Sequence, residues 1–401
     1  MPSINRYEEL RRELDLKILM QQARDRAGLS DFGDERFLIA LDKMLDCNAR
    51  DTDFHSAGLR DYKEDIVRDL VNRLRFQNDL KHHPEILQED VSDPIIIIGL
   101  PRCGTTKAQR MIGTDPSLLK MYLWQYLNPA PFPNAKRGQP DPRIAAAGFG
   151  DSSALVSSTG NSELAAGHHL AADQIDEDWF LFEHTFNDWY FLNRNPSRSW
   201  HDWVMSRSEP SDLYNYRFVR TLYQYLQWQQ GGRRGRRWLM KHTGHIAHLQ
   251  VLLDMFPRAT LVHFHRDPMD CIPSYAKIFQ ASWGTRASTV DPVLAGDLVL
   301  EWASTAMTRY LEARKSLGLE GRIIDVRYDQ IRNDPMPVIR DLYARARQEL
   351  THGAEQGMMQ WERDNEQGKH GKHVYSLEQF GLTRQKIEDA LSGYIQRFIS
   401  R

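Results

Sequence analysis

The sequence has 401 residues, and its 52 lysines and arginines nearly balance 54 aspartates and glutamates, for a formal charge of −2 with histidine neutral. That balance, without a long run of one sign, excludes partners chosen by bulk electrostatics, nucleic acid among them, so any anion site must be local. With 41% hydrophobic and 26% charged residues, the chain is neither disordered nor fibrous and is long enough for one large α/β domain or two smaller ones.

Cys47, Cys103 and Cys271 are too few and too scattered for a disulfide framework, and no CxxC pair suggests zinc. The segment Met1–Leu10 carries charges where a signal peptide needs an apolar core, and no later stretch approaches the roughly 20 apolar residues of a membrane span. The expectation is a cytoplasmic protein with reduced thiols, no transmembrane segment and no metal.

In chain order, residues 7 to 92 carry apolar positions at helical spacing, such as Leu10, Leu14 and Ile18, then Phe37, Ala40, Leu41, Met44 and Leu45. This predicts a helical N-terminal layer over residues 1–92, packed on a second unit spanning 93–401. Pro94–Gly99 is a continuous β-branched run of the kind buried on both faces of a parallel sheet, and it is expected to be the central strand. Further strands are expected at Arg237–Lys241, Ala259–Phe264 and Arg322–Tyr328, each followed by an apolar helical pattern. The fold class is therefore α/β, a P-loop-like doubly wound parallel sheet flanked by helices, with ligand sites at the carboxyl ends of the strands. The long interval at about 120–235 contains no clear strand and is expected to be a helical cap insertion.

The first strand runs into Gly99-Leu100-Pro101-Arg102-Cys103-Gly104-Thr105-Thr106-Lys107 and then a helical pattern through Met111 and Ile112. A strand, a glycine turn with hydroxyls and a helix N-terminus together make an anion cradle of backbone N–H groups. Gly99 and Gly104 have the spacing of GxxxxGK[ST], but Thr105 stands where a nucleotide kinase needs lysine, and the cation comes earlier, at Arg102. The segment resembles the 5′-phosphosulfate loop of sulfotransferases that use 3′-phosphoadenosine 5′-phosphosulfate (PAPS), in the bacterial-type branch with Pro-Arg-Ser-Gly-Thr-Thr. Cys103 takes the usual serine position, which makes the loop oxidisable by expectation.

A second match follows Phe264, where Arg266 and Ser274 have the spacing of the same family's 3′-phosphate motif. An arginine fork at a strand end and a hydroxyl on the next helix can grip one phosphate together. Pairing of Arg266 with Asp267 or Asp270 is the competing possibility. The resemblance further implies Tyr328 near the adenine, Lys241 on the transferring group and Arg102 at the 5′-phosphate or bridging oxygen. Basic residues of the run Lys369–His373 could close over the 3′-phosphate or form a solvated loop. The expected nucleotide contacts are thus Arg102, Cys103, Gly104, Thr105, Thr106, Arg266, Ser274 and Tyr328.

Sulfuryl transfer also needs a base for the acceptor proton. By resemblance to a His-Pro followed by an acidic cluster, His168 is the first choice, with His169, His242, His245 and Glu177 competing. Trp179, Trp189, Trp200, Trp203 and Trp228 lie in the cap interval among other aromatics; they would line an apolar acceptor cavity or form the core of the cap. The resemblance implies a PAPS-dependent sulfotransferase acting on a hydroxyl or amine of an apolar small molecule or lipid. A P-loop kinase and a non-catalytic nucleotide-binding protein of the same fold are the alternatives.

Overall fold

A computed structural model describes residues 4–136, 138–147, 171–207, 209–365 and 376–400. Its sheet has five parallel strands, β1 (Ile95–Gly99), β2 (Leu118–Leu119), β3 (Arg237–Lys241), β4 (Thr260–His265) and β5 (Ile324–Arg327), in the order β2-β3-β1-β4-β5. The isoleucine run is therefore the central strand, every residue of it buried, as both faces of a parallel sheet require when helices cover them. Register places Ile97 beside Lys241 and Gly99 beside Phe264, so the three strands that carry the motifs end together.

β1 and β4 lie within one residue of the sequence reading, and the larger differences are at the two edges of the sheet. The edge strand β2 pairs Leu118 with Arg237 and Leu119 with Trp238, and two residues are too few to show any alternation. At the other edge β5 stops at Arg327, because Tyr328 already begins a helix that runs to Asn333, with Gln330 Oε1 accepting from the Arg327 N–H at 2.8 Å.

The amino-terminal segment folds into α1 (Ile4–Glu13), α2 (Leu16–Ala27), α3 (Phe37–Asp51) and α4 (Ser56–His82). Asp15 caps α2 through the Ile18 N–H, and Gly28 closes it at φ +65°. The helices pack directly on the sheet domain. Gly58, in the first turn of α4, lies so close to Arg286 that an added Cβ would meet the Arg286 carbonyl at 2.2 Å. Nearby, Phe54 and Ala287 form an antiparallel bridge, while Arg73 Nη1 donates to the His184 carbonyl at 2.7 Å.

Between β2 and β3 the described residues form short helices, among them Trp179–Glu183 and Arg198–Met205, and the long helix Glu209–Gln229. Most cap tryptophans are packing residues. Trp189 stacks on Trp302 at 4.7 Å, Trp200 on Trp203 at 4.9 Å, and Trp228 rests on His83 at 4.7 Å. Among the described residues no helix is long and apolar enough to cross a membrane.

Candidate active site

The loop between β1 and the helix α5 (Thr105–Ile112) sits at the carboxyl edge of the sheet. Three of its residues hold positive φ: Gly99 at +150°, Arg102 at +72° and Gly104 at +91°. A non-glycine residue in the left-handed region carries a cost of about 1 kcal/mol, which the surrounding structure must hold in place. The return is a backbone wound into a concavity whose N–H groups lead into the first turn of α5. Gly104 is needed for a second reason, since a Cβ there would meet Tyr328 Cδ2 at 3.0 Å.

Cys103 does not face this concavity. Its side chain is fully buried against Gly99 and accepts from the Thr105 N–H, and burial pushes the thiol up to about 12. The sequence expectation of an oxidisable loop is therefore corrected: at neutral pH the sulfur is an inaccessible thiol, not a thiolate. Any part Cys103 takes in binding belongs to its backbone.

The two phosphate motifs meet in space. Arg102 Nε donates to Ser274 Oγ at 3.1 Å, and Arg266 Nη1 donates to the Arg102 carbonyl at 2.9 Å. Arg266 lies over the Tyr328 ring at 4.2 Å and also pairs with Asp270 at 3.1 Å, so the competing ion pair is formed without drawing the guanidinium out of the cluster. The 172 residues between Arg102 and Ser274 are thus bridged by one hydrogen bond.

Lys241, at the end of β3, is 0% exposed. A buried ammonium needs partners, and it has two: Nζ lies 2.8 Å from Thr106 Oγ1 and 2.5 Å from Glu177 Oε1. Asp178 ties the same strand end by accepting from the Lys241 N–H at 3.0 Å, while its own N–H donates to the Lys241 carbonyl at 2.8 Å. The acidic pair just before the aromatic run thereby fastens the cap to the sheet.

A cavity of about 760 Å³ opens beside this group, lined by Thr106 and Glu177, the partners of Lys241, and not by the lysine itself. Arg102, Gly104, Thr105, Thr106, Arg266 and Tyr328 line it together with Glu177. Trp179, Phe180, Tyr190, Tyr275 and Ile278 form an apolar wall, so only Trp179 of the five cap tryptophans reaches the cavity. A charged part of the lining comes from α4 and the turn after the helix Pro268–Trp283: Asp65, Arg68 and Arg286, with Asp65 holding Arg68 at 2.6 Å and pairing with Arg286. Nothing local in the sequence marks these residues, because each belongs to a different amphipathic segment and only the packing of the N-terminal layer brings them to the site.

The competing bases separate clearly. His242 and His245 are buried beside β3 and do not line the cavity. His242 packs on Tyr190 at 4.6 Å; His245 Nδ1 is 2.8 Å from Tyr216 OH, with Asp178 on the other nitrogen at 3.8 Å. Burial drives both imidazoles down, His242 well below its ordinary value. His168 and His169 lie outside the described residues, as does the run Lys369–His373. Of the proposed bases in the described structure, Glu177 is the one that reaches the cavity.

Comparison with known proteins places these features in context. Residues 94–352 match the model of the sulfotransferase family. Over 127 residues the chain is 30% identical to the omega-hydroxy-beta-dihydromenaquinone-9 sulfotransferases Stf3 of Mycobacterium bovis and Mycobacterium tuberculosis; the match covers 31% of this chain and 32% of theirs. It thus spans about a third of those curated relatives. The fold superposes on sulfotransferase STF9 from Mycobacterium avium with a TM-score of 0.85 at 24% identity, covering 96% of this chain and 97% of that one. For sulfotransferase STF1 from Mycobacterium tuberculosis H37Rv the TM-score is 0.75 at 22% identity, over 94% and 98% of the chains.

Proposed function

The chain belongs to the sulfotransferase family, and from that premise we propose that it moves a sulfuryl group from PAPS to a hydroxyl of an apolar small molecule or lipid. The observation that carries this reading is the buried Lys241, held between a hydroxyl of the phosphate loop and a carboxylate that faces the cavity. The residues present fit such a donor: a positive-φ loop for the 5′-phosphosulfate, the Arg266 and Ser274 pair for the 3′-phosphate, and the Tyr328 ring beside them.

In sulfuryl transfer the bond between sulfur and the bridging phosphate oxygen breaks, a bond from sulfur to the acceptor oxygen forms, and the acceptor loses a proton. Negative charge grows on the bridging oxygen, so a preorganised cation there lowers the barrier. Arg102 and Lys241 take that role, with Thr106 holding the ammonium in place. Glu177 accepts the acceptor proton. The Glu177 carboxylate and Lys241 ammonium are already in contact, and the pair can therefore serve both ends of the transfer from one position.

The acceptor binds along the aromatic wall, with its hydroxyl toward Glu177. Trp179, Phe180, Tyr190, Tyr275 and Ile278 favour an apolar body. In the same cavity, Asp65, Arg68 and Arg286 are costly to cover with hydrocarbon, which favours an acceptor with a polar remote end. The name of the curated relatives, which specifies an omega-hydroxylated dihydromenaquinone, supports a lipid or lipid-like acceptor without identifying this one.

Calorimetric titration with adenosine 3′,5′-bisphosphate, AMP and ATP with magnesium tests the nucleotide reading. The bisphosphate is expected to bind at least tenfold more tightly than AMP. Binding of ATP with magnesium in preference to the bisphosphate would overturn it.

A further inference from the structure

The face of β4 turned away from the cavity carries His263 and His265, both buried, at 0% and 3% exposure. His265 immediately precedes Arg266. Its Nε2 is 2.9 Å from Asp325 Oδ1, and Arg314 holds that carboxylate at 2.7 and 2.6 Å. A carboxylate can only accept, so Nε2 carries the proton and Nδ1 is an acceptor. Tyr394, from the C-terminal helix Arg384–Tyr394, lies with its hydroxyl 3.3 Å from that nitrogen. His265, the residue immediately before Arg266, is thus Tyr394's point of contact with this strand end. Phe398, one turn further, stacks on the His265 ring at 4.2 Å and 12°.

The hydrogen bonds run in one direction. Arg314 donates to Asp325, His265 donates to Asp325, and Tyr394 donates to His265. The His265 ring is thereby held by Asp325, Tyr394 and Phe398, which fixes the strand at the residue before Arg266 while the arginine side chain reaches forward to the loop. On the forward side Asp270 offers the guanidinium an alternative partner at 3.1 Å. The aim of Arg266 is thus decided by how firmly its backbone is held.

We propose that Tyr394 is a positioning residue for Arg266, through which the C-terminal helix sets the enzyme's grip on the donor's 3′-phosphate. The proposal rests on the reading of Arg266 as the 3′-phosphate arginine. Tyr394 stands beyond residues 94–352, the part that matches the family model. It is 129 residues from His265, and no motif links the two.

Affinity for adenosine 3′,5′-bisphosphate and for AMP, measured by calorimetry on the full chain, isolates the 3′-phosphate increment as their ratio. Arg266→Ala should lose most of that ratio. Tyr394→Phe, which keeps the ring and removes one hydroxyl, should reduce it about three- to tenfold with AMP affinity within twofold of the parent. Tyr394→Phe should also raise KM for PAPS and leave kcat at saturating PAPS unchanged. A general loosening of the fold would lower both affinities together and kcat with them, which would overturn the proposal. So would a wild-type ratio in Tyr394→Phe when Arg266→Ala has lost it, and in that case the reading of Arg266 stands. If Arg266→Ala itself keeps the ratio, the 3′-phosphate reading falls first and the proposal with it.

Discussion

Lys241→Met is expected to lower turnover with PAPS by about a hundred- to a thousandfold, the usual consequence of removing one preorganised group from developing charge. Both kcat and kcat/KM for the acceptor should fall together, because the ammonium acts on charge that exists only in the transition state. Methionine keeps most of the lysine's length and leaves the end of β3 filled, so the backbone contacts of Asp178 should survive. Glu177, 15% exposed, would lose its ion-pair partner. Breaking a buried pair costs about 3–5 kcal/mol when the remaining charge is sealed from water, and less where it reaches solvent as this carboxylate does. The double variant Lys241→Met, Glu177→Gln separates the two effects. It should recover much of the lost thermal stability and none of the lost turnover. Turnover within threefold of the parent in Lys241→Met would remove the lysine from the chemistry.

Glu177→Gln is the second large effect. The amide fills the same space and can still accept a hydrogen bond from Lys241 through its carbonyl oxygen, but it cannot take a proton at neutral pH. Loss of a general base lowers the rate by about a hundred- to ten-thousandfold, and the variant should fall in that range with bisphosphate affinity unchanged. Steady-state kinetics with an excess of acceptor would show the loss in kcat. Should Glu177→Gln turn over at the parental rate, the proton must go elsewhere, and His168 or His169 regains the role.

How much of this was readable from the sequence depends on range. The four isoleucines Ile95–Ile98 announce a strand buried on both faces, and the glycines and threonines that follow announce a tight turn into a helix, because each signal is complete within a few consecutive residues. The strand at Arg237–Lys241 coincides with β3, and the one proposed at Ala259–Phe264 is shifted by a single residue from β4. Leu118–Leu119 escaped notice, since an edge strand of two residues has no period.

Long-range partnership was the part that sequence could not supply. Lys241 and Glu177 are 64 residues apart, and neither segment shows that the lysine is sealed beneath the cap with this carboxylate as its counter-ion. The same holds for the charged part of the cavity lining, where α4 brings Asp65 and Arg68 against Arg286 across 221 residues of chain. Aromatic density misled for a related reason. Trp189 and Trp200 are spaced no differently from Trp179, yet the first two stack on other indoles in the core and the third borders the cavity. Cys103 is a further case: its place in the motif suggests exposure to ligand, whereas the turn of the backbone directs the sulfur inward.

The central claim is that this cavity transfers a sulfuryl group from PAPS to a hydroxyl. Its most direct measurement is the fate of sulfur-35 in labelled PAPS incubated with the enzyme and a panel of phenols, sterols and hydroxylated lipids, with chelator present and adenosine 3′,5′-bisphosphate counted in parallel. Label is expected in an organic sulfate ester, with one bisphosphate released for each ester formed and both products lost in Lys241→Met. Tight bisphosphate binding with no ester from any acceptor, or nucleotide turnover that requires ATP and magnesium, would contradict it.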